Sequence, residues 1–250
     1  AFVEIGLERT AFLHVADIWG EKGWEQRGGA DARPIERILH EGQALMVQVL
    51  KDPLGTKGAR LTTQVSIAGR LLVHLPQDKH IGISQRIENE AERDKLRARI
   101  HALLLPDEDS EQRGGYIVRT VAEDAPDEEL AADIVYLKRC WADIRTRAQT
   151  AQAPALLHQD LNLAQRVLRD LVNRDTVAIQ VDSRETFAML ESFAREYVPQ
   201  VAERLQHYTG ERPLFELHGV EEEIQKALSR RVDLKSGGYL IIDQTEAMTT

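Results

Sequence analysis

The sequence predicts a multidomain protein of mixed α+β and α/β class, and three observations predict it. Short apolar runs with alternating character, separated by Gly-containing turns, fill the stretch before residue 66. Leu130, Ile134, Leu137, Trp141 and Ile144 follow the 4-3-4-3 spacing of one buried helix face. From about residue 150 onward, helical and strand patterns alternate, as in α/β units. A chain of 250 residues has room for two or more units, since domains usually run about 100–200 residues.

Taken in order, Phe2, Val3 and Ile5 precede a turn at residues 6–9, and residues 11–15 return as the second strand of a hairpin. Residues 18–33, rich in Gly and charge, read as a loop. Pro34 opens a short helix that ends before Gly42. Leu45, Val47 and Val49 alternate as a strand, residues 52–58 form a turn, and residues 61–65 form another strand. Short strands, a basic Gly-containing turn and aromatic strand residues suit a partial OB-like barrel without its opening strands.

Residues 71–75 and 81–84 then read as strands, 88–104 as a helix, and 116–120 as a strand. Pro126 opens the long amphipathic helix, with Arg145 and Arg147 near its end, where cations complement the dipole. Leu156 and Leu157 read as a short strand, and Leu163 to Leu171 as a helix. Val177, Ile179 and Val181 alternate as a strand. Residues 182–185 form a capping-box start for a helix that buries Phe187, Leu190, Ala194 and Tyr197. A helix around Val220, Ile224 and Leu228 precedes a Gly237-Gly238 turn and an apolar strand. The sequence stops where that strand ends, with no closing cap or polar tail, and Ala1 opens in a strand already under way, so it reads as an internal piece of a larger protein.

Composition excludes several classes. The 29% charged share predicts a soluble protein. No apolar run approaches the roughly 18 residues needed to cross a bilayer. The single Cys140 rules out an internal disulfide framework or a Cys-rich zinc site within these residues, and a cytoplasmic location is expected. The net charge of −9 disfavours nucleic acid as a partner, but the acidic residues are bunched at 88–94, 107–111 and 123–129. Between Pro53 and Gln77 there is no Asp or Glu, whereas Lys57, Arg60 and Arg70 are present, so a locally positive strip is expected.

Candidate sites follow from residue type. Phe2 and Phe12 are either core residues of the hairpin or a stacking platform for unpaired bases. Lys57 is either a solvated turn lysine or a phosphate contact beside those rings. The strand at residues 115–120 finishes with Arg119 and Thr120, a planar fork beside a short hydroxyl donor, which suits a terminal phosphate. Gly69 offers a close backbone approach. The histidines show no metal-ligand spacing. Asp243 and Glu246, three apart at a strand end, read as turn and cap groups rather than a metal pair.

Longer strings carry a resemblance. Ala1-Phe2-Val3-Glu4-Ile5-Gly6, the Lys51–Thr63 string KDPLGTKGARLTT, Ser84-Gln85-Arg86-Ile87-Glu88, Ile117-Val118-Arg119-Thr120 and the final Ser236–Thr250 string SGGYLIIDQTEAMTT closely resemble the bacterial ribonuclease E/ribonuclease G family, in the family's order. Gln85 before Arg86 and the KDPLGTKGARLTT string look most like its ribonuclease G branch. The resemblance implies an endoribonuclease of RNA processing and decay that cuts single-stranded RNA and leaves a 5′-phosphate and a 3′-hydroxyl. It implies a partial OB-fold RNA-binding domain at 1–63, an inserted α+β 5′-sensor domain at 64–148, an RNase H-like domain at 149–212, and the start of a DNase I-like catalytic domain at 213–250.

By the same resemblance, Phe2, Phe12 and Lys57 contact RNA, while Gly69, Val73, Arg119 and Thr120 bind a 5′-monophosphate. The resemblance also implies a metal-binding Asp and a nearby Asn just after the final string and a second Asp later still; none of these is in this sequence, so no residue is assigned to catalysis or metal. These residues alone are expected to be inactive. Zn²⁺ at a protomer link, and homo-oligomerisation, are expected of the full-length enzyme. The alternative is a non-catalytic RNA-binding and 5′-end-sensing module.

Overall fold

Alternation of buried and exposed residues builds the first sheet. The computed structural model describes residues 1–18, 34–104, 114–172, 175–197 and 199–250. The loop expected at 18–33 and the acidic run at 107–111 therefore lie outside the described residues, Ile18 excepted. Strands β1 (Phe2–Val3), β2 (Ala11–Leu13), β3 (Gln48–Lys51) and β4 (Arg60–Thr62) form one sheet in the order β1-β2-β4-β3. The β1–β2 hairpin is antiparallel as expected, whereas β2 and β4 run parallel. Ala11 and Leu13 of β2 and Leu61 of β4 point into a small core with Ile18 and Ala59. Phe12 and Arg60, between them in the alternation, face outward. Among the described residues this sheet stays open and closes no barrel. The expected strand at 45–49 begins at Gln48 instead, and Leu45 and Val47 pack beneath it.

The second sheet holds β5 (Ile67–Ala68), β6 (Leu72–Leu75), β7 (Ile81–Ile83) and β8 (Gly115–Val118) in the order β5-β6-β8-β7. Strand β8 is antiparallel to β6 and parallel to β7. Consequently the end of β5, the start of β6 and the ends of β7 and β8 meet at one edge. Helix α1 (Glu90–Leu104) buries Leu96, Ile100 and Leu104. Helix α2 (Asp127–Thr150) buries Leu130, Ile134, Leu137 and Ile144, with Trp141 partly covered, as its spacing predicts. Both stripes share one core with the sheet residues Leu72, Ile83, Tyr116 and Val118. Each full burial of such a side chain stabilises by roughly 1.5–3 kcal/mol. The Gln48 amide joins the two sheets, accepting from the Ser66 N–H at 2.8 Å and donating to the Ser66 carbonyl at 2.9 Å.

Residues 1–159 form one unit and 160–250 another. In the second, α3 (Leu163–Asp170) starts with a capping box in which Asn162 and Gln165 bond each other's backbone N–H groups. Strand β9 (Ile179–Val181) is followed by α4 (Arg184–Tyr197) and α5 (Pro199–Ala202), and β10 (Leu205–His207) pairs parallel to β9. Ser183, not Asp182, caps α4: its hydroxyl accepts from the Thr186 N–H at 3.2 Å and donates to Glu185. Leu190, Phe193 and Ala194 are buried by α4, with Phe187 packed at the margin. The rest comprises α6 (Leu214–Leu217), α7 (Val220–Ala227) and the antiparallel pair β11 (Arg231–Asp233) and β12 (Tyr239–Ile241). The strand expected at Leu156 and Leu157 does not form. Leu156 is exposed, and the Leu157 carbonyl accepts from the Arg147 guanidinium at 3.1 Å instead of from a neighbouring strand.

A buried histidine sits in the second sheet. His74 is fully buried against the Tyr116 ring, with centroids 4.8 Å apart, and its Nδ1–H donates to the Gly115 carbonyl at 3.2 Å. Burial lowers its pKa from 6.5 to about 4; the Lys138 charge adds to this and the Gly115 bond opposes it. In the window between those values the unfolded chain takes up a proton that the folded chain refuses. Stability therefore rises with pH from about 4 to 6.5 and falls on acidification. Urea unfolding midpoints measured across that window should show this slope, and His74→Gln should flatten it. An unaltered slope in the variant would assign the effect to other groups.

Candidate nucleic-acid interface

The pleat of the first sheet sorts its residues into two faces, and the outer face carries the candidate rings. Phe2 and Phe12 are register partners across β1 and β2, with ring centroids 5.9 Å apart and planes inclined at 59°. Phe2 is 79% exposed and Phe12 40% exposed, so neither is a core residue. The imidazole of His14 lies 6.2 Å beyond Phe12. The Phe2 and Phe12 rings therefore both lie at the surface. Large apolar rings held at the surface by a rigid sheet provide π-faces on which planar groups can stack.

The same row continues into cations that the sequence reading did not single out as site residues. Phe12 is the register partner of Arg60 on β4, and Arg60 is the partner of Lys51 on β3. Phe2, Phe12, Arg60 and Lys51 therefore form one transverse row, all exposed. Arg60 shares its charge with Asp17, whose carboxylate lies 2.9 Å from Nη2, an exposed pairing of modest strength. Lys57 is exposed in a turn closed by reciprocal backbone bonds between Leu54 and Lys57. That turn leads into Ala59, whose carbonyl accepts from the Phe12 N–H at 2.7 Å, so Lys57 enters beside the aromatic strand. The signal for Arg60 and Lys51 was available only through strand register, which depends on the fold.

The second group of candidates converges at one edge of the second sheet. Gly69 lies in the turn between β5 and β6, Val73 is on β6, and Arg119 and Thr120 follow β8. The Arg119 N–H donates to the Leu71 carbonyl at 2.9 Å, and its Nη1 donates to the carbonyls of Gly69 at 2.6 Å and Arg70 at 3.2 Å. These bonds fix the plane of the half-buried guanidinium. The exposed Thr120 hydroxyl stands 3.3 Å from that of Ser84 at the end of β7.

Asp133, which the sequence reading passed over, completes this edge from below. Its carboxylate, on the buried stripe of α2, accepts from the N–H groups of Arg70 at 3.1 Å, Leu71 at 2.9 Å and Leu72 at 2.8 Å. Burial pushes its pKa above the usual carboxylate range, against the pull of the three N–H groups and the Arg119 charge. Removing such a charge from water costs several kcal/mol unless it is bonded, and three donors supply that bonding. The close approach at Gly69 is to this carboxylate: a Cβ there would lie 2.5 Å from an Asp133 oxygen. A clue was present in the sequence, since position 133 falls on the same stripe as Leu130, Ile134 and Leu137.

No such convergence occurs near the C-terminus. Asp243 is ion-paired to Arg230 at 2.7 Å, and Glu246 is exposed in a turn closed by bonds between Thr245 and Met248. Among the described residues no group of three or more His, Cys, Asp or Glu side chains is arranged to hold a metal ion. Nor is any described helix long and apolar enough to cross a membrane.

The Ribonuclease E/G family model matches residues 66–250, which include the Gly69, Arg119 and Asp133 edge and the whole second unit. The chain belongs to the Ribonuclease E/G family. It is 49% identical to Ribonuclease G of Escherichia coli over 253 aligned residues, covering 100% of this chain and 50% of that protein. With Ribonuclease G of Haemophilus influenzae the identity is 44%, and with Ribonuclease E of Nostoc it is 38% over 254 aligned residues and 35% of that protein. The chain spans about half the length of the Ribonuclease G relatives it matches.

Proposed function

We propose that this chain is the RNA-binding and 5′-end-sensing part of a single-strand-specific endoribonuclease of RNA processing and decay. The observation that carries the reading is the exposed row of Phe2, Phe12, Arg60 and Lys51: two stacking faces followed by two cations, the combination that single-stranded nucleic acid requires. The relatives' names supply the reaction class, and the net charge of −9 is no obstacle, because phosphates respond to the local row. In this reading Phe2 and Phe12 stack bases, Lys57 meets the backbone, and the edge of Gly69, Val73, Arg119 and Thr120 receives a 5′-monophosphate. The four-domain division at 63, 148 and 212 belongs to the same proposal, as do a cytoplasmic location, homo-oligomerisation and a Zn²⁺ link in the full-length enzyme.

The described residues do not fit a catalytic Mg²⁺: Asp243 is committed to Arg230, and no further donors converge on it. In this proposal the Mg²⁺ ligands are contributed by residues outside these 250, and no step of the reaction is assigned to this chain.

Fluorescence anisotropy with a short single-stranded RNA tests the binding role. Affinity should fall steeply with salt, by a log–log slope of about 0.7 per phosphate contacted. Phe12→Ala should cost about 1–3 kcal/mol for the lost stacked base, with the circular dichroism spectrum unchanged. Salt-independent binding, or full affinity without the ring, would reject the interface.

End sensing has its own readout. The native chain should bind 5′-monophosphorylated RNA more tightly than the same RNA with a 5′-hydroxyl, and Arg119→Ala should abolish that preference. Equal losses on both RNAs would count against the pocket. Incubated with RNA and Mg²⁺, the chain should release no cleavage products on a denaturing gel; cutting by pure, contamination-controlled protein would show that catalytic groups lie within it.

A further inference from the structure

We propose that Asp133 is the positioning residue of the 5′-phosphate edge, setting the Gly69–Leu72 turn and, through it, the plane of Arg119. The proposal rests on the 5′-end reading above and assigns a role to a side chain that would itself never touch RNA. The turn is held from both of its polar sides. Its N–H groups at Arg70, Leu71 and Leu72 all donate to Asp133, and its carbonyls at Gly69 and Arg70 both accept from Arg119. Freed of the carboxylate, the three N–H groups would turn elsewhere and carry those two carbonyls with them. Arg119 would then lose the partners that fix its orientation, and a bidentate contact tolerates little rotation.

Two features argue that the carboxylate serves this edge and not the core alone. Asp133 stands on a stripe whose other buried residues are Leu and Ile, and it is the three N–H groups of the Arg70–Leu72 turn that call for an acceptor at this one position. Gly69 has no space for a side chain because Asp133 occupies it, so the two positions are matched. A negative charge so near an anion site would by itself repel phosphate. Three donated N–H groups and the neighbouring guanidinium offset that charge, leaving the geometric effect as the one that counts.

The test compares the native chain with Asp133→Asn by anisotropy, using one single-stranded oligoribonucleotide carrying either a 5′-monophosphate or a 5′-hydroxyl. Asn keeps the volume, but its one remaining oxygen serves only one side of the fork, so an NH₂ faces either the Arg70 N–H or the pair at Leu71 and Leu72. The preference for the monophosphate should fall roughly tenfold, the scale of one hydrogen bond to a charged group, while affinity for the hydroxyl RNA stays within about twofold. A preserved preference, an equal loss on both RNAs, or a tightened grip on the monophosphate (the result if the carboxylate merely repels) would each overturn the proposal while leaving end sensing intact. No preference in the native chain would overturn end sensing and this inference together. Should the variant fail to fold, ¹⁵N spectra of the native chain answer the question. Uridine 5′-monophosphate, but not uridine, should shift the Arg70, Leu71 and Leu72 amides along with the Arg119 side chain. A shift at Arg119 alone would overturn the coupling.

Discussion

A single buried carboxylate governs the edge of the second sheet. Asp133 accepts three successive backbone N–H groups and thereby fixes the turn that connects β5 to β6. Gly69 and Arg119 both refer back to this contact. Gly69 is glycine because the carboxylate fills its side-chain space, and Arg119 lies where it does because the same turn offers it two carbonyls. The long helix α2 supplies the carboxylate from a stripe anchored by Leu130, Ile134 and Leu137, so the position of the charge is set by apolar packing. Hydrophobic burial supplies the energy here, and the polar bonds supply the direction.

The first sheet applies a different rule. Its core is small, yet the pleat sends Ala11, Leu13 and Leu61 inward and Phe12 and Arg60 outward. Cross-strand register then joins residues that are far apart in sequence into one exposed row. A sheet suits this purpose, because its spacing between strands of about 4.8 Å holds neighbouring side chains at contact distance without further support.

Much of this was legible beforehand. The α2 face and the β1–β2 hairpin were evident from pattern, and the strand expected at 116–120 forms but ends at Val118, with Arg119 and Thr120 beyond it. Phe2, Phe12, Lys57, Gly69, Arg119 and Thr120 drew attention by residue type, and Val73 by resemblance alone. Register was not legible, and with it went the inclusion of Arg60 and Lys51 in the row. Asp133 was masked by its neighbours, since one acid on an apolar stripe reads as noise until its partners 61 to 63 positions away are known. Strands β10 and β11, at three residues each, are too short to display a period of two. Leu156 and Leu157 looked like a strand because apolar pairs usually are buried; here one carbonyl serves Arg147 instead.

The irregularity in β3 has a consequence of its own. Pairing slips between Val49 and Lys51, leaving Leu50 as an extra residue opposite β4. Strand β3 is an outermost strand among the described residues, with Val49 and Leu50 both in contact with solvent. A straight apolar margin of that kind invites another chain to dock along it and seed aggregates. A bulge in an edge strand sharpens its twist, and a lysine beside it disfavours such docking, so the slip that brings Lys51 level with Arg60 also works against edge-to-edge pairing.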